Sequence, residues 1–189
     1  MNESQEHILK TSLDLFLHSG YANVSMKDIL DKAGFSRGAF YHYFESKETC
    51  FKECVQYYLS RVTHPEPADY TGVSLKIFLE DNLRRMAETA NEINVWDRFR
   101  FFNEASKIIS DFAAYMGQRN ARELAVWTRV IENAVNAGEI TERIPAGEAA
   151  SLFIAQCDGI LVTLGMSANA DGRAVVARQW DNLYTLLKE

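Results

Sequence analysis

Arg37, Tyr41, His42 and Lys47 bring a guanidinium, a phenol, an imidazole and an ammonium into one short stretch. Arg37 carries the forked donors that match a guanine edge or a phosphate, Tyr41 and His42 can donate to phosphate or base, and Lys47 adds a charge beyond them. Gly38 and Ala39 are small, so a helix bearing this set can bring its first turn to the floor of a major groove. That chemistry points to double-stranded DNA. The residues that must position it, over 24–48, read as two short helices joined by a tight turn. Ser25 predicts an N-cap, and Asp28 three residues later suits the positive helix end, although Asp is a weaker capping-box partner than Glu. Ile29, Leu30 and Ala33 give one apolar face, and Gly34 predicts a stop at about Ala33. Phe35 is an apolar turn residue, and Ser36 can cap a second helix from Arg37 to Phe44. On that helix Phe40 and Phe44 share one face as anchors while Arg37, Tyr41 and His42 face outward. The spacing is that of a helix-turn-helix.

Leu15-Phe16, Gly20-Tyr21, Ser25, Ala33-Gly34, Ser36, Gly38, Tyr41, Phe44 and Ser46-Lys47-Glu48 stand in a recognisable order. By these residues, roughly the first third of the chain resembles the N-terminal domain of the tetracycline-repressor (TetR) family of bacterial transcriptional regulators. The resemblance implies DNA contacts at Ser25 and Lys27 on the second helix, at Ser36, Arg37, Gly38, Tyr41 and His42 on the third, and at Lys47 opening the fourth. It departs at Phe40, where many members carry an aliphatic residue, but an aromatic ring there still fills the core. Beyond this segment it implies only a variable all-helical domain.

Composition is compatible with such a protein without revealing it. A chain of 189 residues, 47% hydrophobic and 12% aromatic, can bury a core without staples. The opening MNESQEHILK is polar and acidic, and no apolar run reaches membrane-spanning length, so the expectation is no signal peptide, no membrane span and a cytoplasmic location. Three cysteines without CxxC spacing argue against a disulfide framework. The net charge of −6 is unevenly placed: residues 1–47 hold five Lys/Arg against six acids, and the remainder fifteen against twenty. Lys27, Lys32, Arg37 and Lys47 all fall in or just after the helix-turn-helix, leaving a small cationic patch on an acidic protein.

Helical periodicity runs through the rest. Residues 3–19 form a first helix ended by Gly20, and Ser46 opens a fourth that His64-Pro65-Glu66-Pro67 terminates. Further patterns cover about 74–90, a stretch through Trp96 to Tyr115, about 118–137 with a stop at Gly138, about 146–167, and about 172–187 after a break near Asn169 to Asp171. The reading is all-α: a helix-turn-helix domain with its connector helix over 3–63, then a helical effector-binding and dimerisation domain over 64–189. Trp96, Phe99, Phe102, Phe112, Tyr115 and Trp127 suit either an apolar ligand cavity or ordinary core, and the resemblance favours the cavity. Arg98, Arg100 and Glu104 either select a charged ligand or form a solvated face. The 149–166 segment is apolar over much of its circumference and needs cover on more than one side, from its own chain or a second copy. The resemblance implies a four-helix homodimer interface with Phe153, Ile160, Leu164, Trp180 and Leu183.

The function that follows is a DNA-binding regulator, a repressor released from its operator by a small-molecule effector of unidentified structure, with an activator as the alternative. A thiol sensor through Cys50 and Cys54, one turn apart, is a second class, although an intact helix holds such a pair poorly for a disulfide. Catalysis is not expected. His7, His18, His42 and His64 sit in no HExxH or zinc spacing, and GxSxG, P-loop and Rossmann fingerprints are absent, so neither metal nor cofactor is expected.

Overall fold

The computed structural model describes residues 2–62, 70–90, 95–165 and 172–189, and among them the regular elements are helices. They are α1 (Glu3–Ser19), α2 (Met26–Ala33), α3 (Arg37–Tyr43), α4 (Lys47–Val62), α5 (Leu75–Ala90), α6 (Val95–Ile108), α7 (Phe112–Asn136), α8 (Ala146–Gly165) and α9 (Gly172–Lys188). The His64-Pro65-Glu66-Pro67 stop, the break at Asn169 to Asp171 and the side chain of Leu164 lie outside the described residues. Among the described residues no helix is long and apolar enough to cross a membrane.

One boundary differs from the periodicity. The Trp96 to Tyr115 pattern is broken inside, at Ile109 to Asp111, and α7 begins at Phe112 rather than near Gln118. Asp111 receives the Tyr115 N–H on its carbonyl at 3.0 Å, which starts the new helix, while Gly117 sits within α7 with nothing near it. Apolar residues on both sides of the turn mask the break, because Ile109 and Phe112 are both buried.

The chain forms two compact units. The first comprises Met1–Val62 and Trp96–Tyr115, the second Thr63–Val95 and Met116–Glu189. A cut near 63 is therefore incomplete, since α6 returns to the first unit. Phe101 is the reason: fully buried, it meets Phe51 edge-on at 5.3 Å and Tyr58 at 5.9 Å. Around it, Ile8, Leu9, Leu13, Phe16 and Leu17 of α1 pack with Cys50, Phe51, Cys54 and Val55 of α4.

The second unit is built around Trp127. Its ring meets Phe78 at 4.7 Å, Trp180 at 5.3 Å and Phe153 at 5.7 Å. The Trp180 Nε1–H donates to Phe153 O at 2.9 Å, so the indole satisfies its polar atom without leaving the core. Glu139 accepts the Leu75 and Lys76 N–H groups at 2.9 and 3.1 Å and the Tyr184 hydroxyl at 3.0 Å, which caps α5 and ties it to α9.

This packing corrects part of the expected dimer interface. Phe153 and Trp180 are 0% and 2% exposed within a single chain, because α7 and each other already cover them. Ile160 and Leu183 are half-buried. Phe153→Ala should therefore destabilise the protein by about 3–5 kcal/mol, read as a lowered urea midpoint. Phe153→Glu should abolish folding of this unit at every protein concentration. A folded Phe153→Glu monomer would return Phe153 to a subunit interface.

Candidate nucleic-acid interface

α2 begins with a reciprocal cap. The Ser25 Oγ accepts the Asp28 N–H at 3.2 Å, while the Asp28 carboxylate accepts the Ser25 N–H and its Oγ–H, each at 2.7 Å. Asp thus completes the capping box despite its shorter reach. Hydrogen bonds from the Ser25 side chain and then its backbone hold the Asp28 carboxyl below its ordinary range. Gly34 ends the helix in the left-handed region at φ 72°, its N–H donating to Leu30 O at 2.9 Å. Two residues later Ser36 caps α3, accepting the Ala39 N–H at 3.2 Å.

Phe40 and Phe44 are fully buried with ring centroids 5.2 Å apart. Their burial turns the opposite face of α3 outward. Ser25, Lys27, Ser36, Arg37, Gly38, Tyr41 and His42 are all exposed. The Arg37 guanidinium lies 5.6 Å from the centroid of the Tyr41 ring, an arrangement that holds the fork over one side of the helix. His42 meets Tyr43 edge-on at 4.8 Å, and Tyr43 accepts a hydrogen bond from Asn2 Nδ2 at 3.3 Å. Lys32 is taken by Asp14. Among the described residues a Cβ at Gly38 would meet only Ser36 Oγ, at 3.9 Å.

Lys47 is placed differently from the rest. Half-buried, it donates to Tyr21 O at 2.7 Å and Val24 O at 2.6 Å, and its nitrogen lies 4.0 Å from the Tyr21 ring centroid. Burial pulls its pKa down, against the opposing pull of Glu104 and Asp28. An ammonium has three donors, and two are already used inside the domain.

Arg100 and Glu104 form neither a ligand-selecting pair nor a plain solvated face. Arg100 Nη2 donates to Leu17 O at 2.7 Å and His18 O at 2.9 Å, and Glu104 accepts the Tyr21 N–H at 2.8 Å. The only trace in the sequence is their spacing of one helical turn, which surface pairs share.

The six aromatic residues proposed for a cavity are divided. Trp127 belongs to the core of the second unit, whereas Trp96 to Tyr115 belong to the first. Trp96 and Phe99 are 54% and 56% exposed, and Phe102 stacks on Phe112 at 6.3 Å. Phe112 and Tyr115 line a shallow depression with Lys52, Val55, Gln56, Ile109 and Asp111, with room for about one water molecule. Helical phase alone could not separate these sets, because the break at Ile109 to Asp111 and the return of α6 are tertiary features.

A family model described as bacterial regulatory proteins, tetR family, matches residues 8–54, which hold α2, α3 and the start of α4. Over that segment the chain is similar to the TetR family. A stretch of 59 residues is 42% identical to the uncharacterized HTH-type transcriptional regulator YerO of Bacillus subtilis (strain 168). That alignment spans 31% of this chain and 20% of YerO's length. A longer alignment joins it to YfiR of the same organism, another uncharacterized HTH-type transcriptional regulator, at 22% identity over 182 residues, covering 85% of this chain and 79% of YfiR. The fold is shared with the crystal structure of a TetR-family transcriptional regulator from Cytophaga hutchinsonii, at a TM-score of 0.74 and 17% identity, covering 99% of this chain and 97% of that one.

Cys50 and Cys54 lie inside the α1–α4 contact, both fully buried, with the Cys54 thiol donating to Leu9 O at 3.5 Å. Burial, then its hydrogen bond with Cys50, pushes the Cys54 thiol well above its ordinary value. Cys50 moves the other way, lowered first by its hydrogen bond with Cys54. Shielding dominates reactivity where no reagent can enter. Titration with a disulfide reagent at neutral pH should therefore modify half-buried Cys157 first, and Cys50 and Cys54 only as the protein unfolds. Rapid reaction of all three thiols in the folded protein would contradict this packing.

Proposed function

We propose that this chain is a transcriptional repressor that binds a near-palindromic operator as a homodimer and leaves it when a small-molecule effector binds. The observation that carries the reading is the two-sidedness of α3, with Phe40 and Phe44 fully buried and Ser36, Arg37, Gly38, Tyr41 and His42 exposed on the other side. A helix so presented can enter a major groove N-terminus first, with Arg37 on a base edge and Tyr41, His42, Ser25 and Lys27 on phosphates. Lys47 has at most one donor left for DNA, so its main contribution is to hold the loop before α2. With a net charge of −6, non-specific attraction to DNA is weak, and operator choice falls to geometry and base contacts.

Dimerisation rests on the second unit. Leu152, Val162 and Leu186 are large apolar residues left 45%, 37% and 59% exposed on α8 and α9, and Ile160 and Leu183 are half-buried nearby in sequence. An isologous pairing of α8 and α9 with a second copy would cover them. Two α3 helices would then meet successive major grooves about 34–36 Å apart. An effector acts by binding more tightly to a state with different spacing, and its influence is limited by that differential affinity.

Arg37→Ala should cost about 1–3 kcal/mol of operator affinity and relax preference at one base pair. An equal loss on all duplexes would assign Arg37 to phosphate. Gly38→Ala gives the sharper separation. It should stabilise the protein by up to about 1 kcal/mol through helix propensity while weakening DNA binding, because the added methyl stands between helix and groove. Unchanged affinity in that variant would remove α3's first turn from the interface. The double change Val162→Glu and Leu186→Glu should yield folded monomers by sedimentation, and a surviving dimer would place the interface elsewhere.

A further inference from the structure

The backbone between α1 and α2 is held by charged side chains from outside the loop. Leu17 O and His18 O belong to the last turn of α1, whose carbonyls lack partners within the helix, and Arg100 of α6 takes both, at 2.7 and 2.9 Å. One turn further along α6, Glu104 accepts the Tyr21 N–H at 2.8 Å. Lys47 of α4 closes the other side through Tyr21 O and Val24 O. Gly20 makes the approach possible. Its φ is 82°, and a Cβ there would stand 3.1 Å from Glu104 Oε1 and 3.2 Å from Arg100 Nε. The guanidinium is fixed further by Asp97, at 2.6 Å from Nη2, and its Nε is buried without a hydrogen bond, so fit around Gly20 holds it in place as well as donors.

We propose that Arg100 and Glu104 are positioning residues for DNA binding. By gripping residues 17–21 they set the angle at which α2, and α3 after it, leave α1. Neither residue touches DNA. Both act through the loop, and a shift of α6 along its axis would withdraw them together. Bonds to charged groups in a partly buried site are the strong kind, and losing one leaves backbone groups without partners. The proposal rests on the reading of α3 as the DNA-binding helix.

The probe is the best duplex that the unsubstituted protein selects from a random-sequence library. Arg100→Ala and Glu104→Ala should each weaken binding to it by about tenfold or more, as expected for loss of a charge-assisted hydrogen bond. The salt slope should not change, because no phosphate contact is removed. Glu104→Gln keeps an acceptor for the Tyr21 N–H and should restore most of the affinity. Amide exchange at Tyr21 should quicken in Glu104→Ala and stay slow in Glu104→Gln. Should the alanine variants fail to fold, Arg100→Met serves in their place, since it keeps an aliphatic stem but has no donor for the two carbonyls; it too should bind more weakly. Full affinity in a folded Glu104→Ala or Arg100→Met variant overturns the proposal. So does a loss that comes with a reduced salt slope, or one that Glu104→Gln leaves unrepaired. A protein that selects no sequence at all removes the DNA-binding reading, and the proposal with it, which is a different result from selection followed by indifference to the substitutions.

Discussion

Everything α3 offers a partner depends on where Phe40 and Phe44 go. A helix of seven residues has too little of its own hydrogen bonding to persist alone, so its existence and its orientation both come from burial of these two rings. Their side chains lie on one face, and the fixed geometry of the helix then leaves Arg37, Tyr41 and His42 no direction but outward. Gly38 fits the same logic. A helical glycine with ordinary φ costs stability relative to alanine, and among the described residues a Cβ there would meet only Ser36 Oγ, at 3.9 Å.

The domain around α3 is stabilised in two distinct ways. Apolar packing joins α1 to α4, with Phe16 edge-on to Phe51 at 5.1 Å and Phe51 to Phe101 at 5.3 Å. The loop between α1 and α2 carries backbone groups that regular structure does not satisfy, and charged side chains supply the missing partners. Lys47 illustrates the consequence. An ammonium that could sit on a phosphate is drawn inward by two carbonyls and an aromatic face, and partial burial lowers its pKa.

Local signals were legible in the sequence wherever chemistry is local. Caps at Ser25 and Ser36, the glycine stop at Gly34 and the apolar pair at Phe40 and Phe44 all depend on residues within four positions of one another, and the helices they predict are present. Features set by distant partners were not legible. Phe153 reads as interface because its helix is apolar on several sides, and Trp180 because the resemblance implies a two-helix contribution, yet α7 supplies the cover through Trp127, a residue outside both helices. The Trp96 to Tyr115 stretch hid its break because Ile109 and Phe112 keep the apolar phase across the turn. Arg100 and Glu104 show in the sequence only a spacing of one helical turn, since the loop groups they hold lie more than eighty positions away.

The most direct measurement is hydrogen exchange by mass spectrometry on the full chain, with and without a duplex that it selects from a random library. Presentation of α3 to a groove predicts that DNA slows exchange over residues 25–44, strongest in α3 and at the α2 cap, with further protection in the 17–24 loop. Protection confined to α5 and α7–α9, with residues 36–43 unchanged, would contradict it.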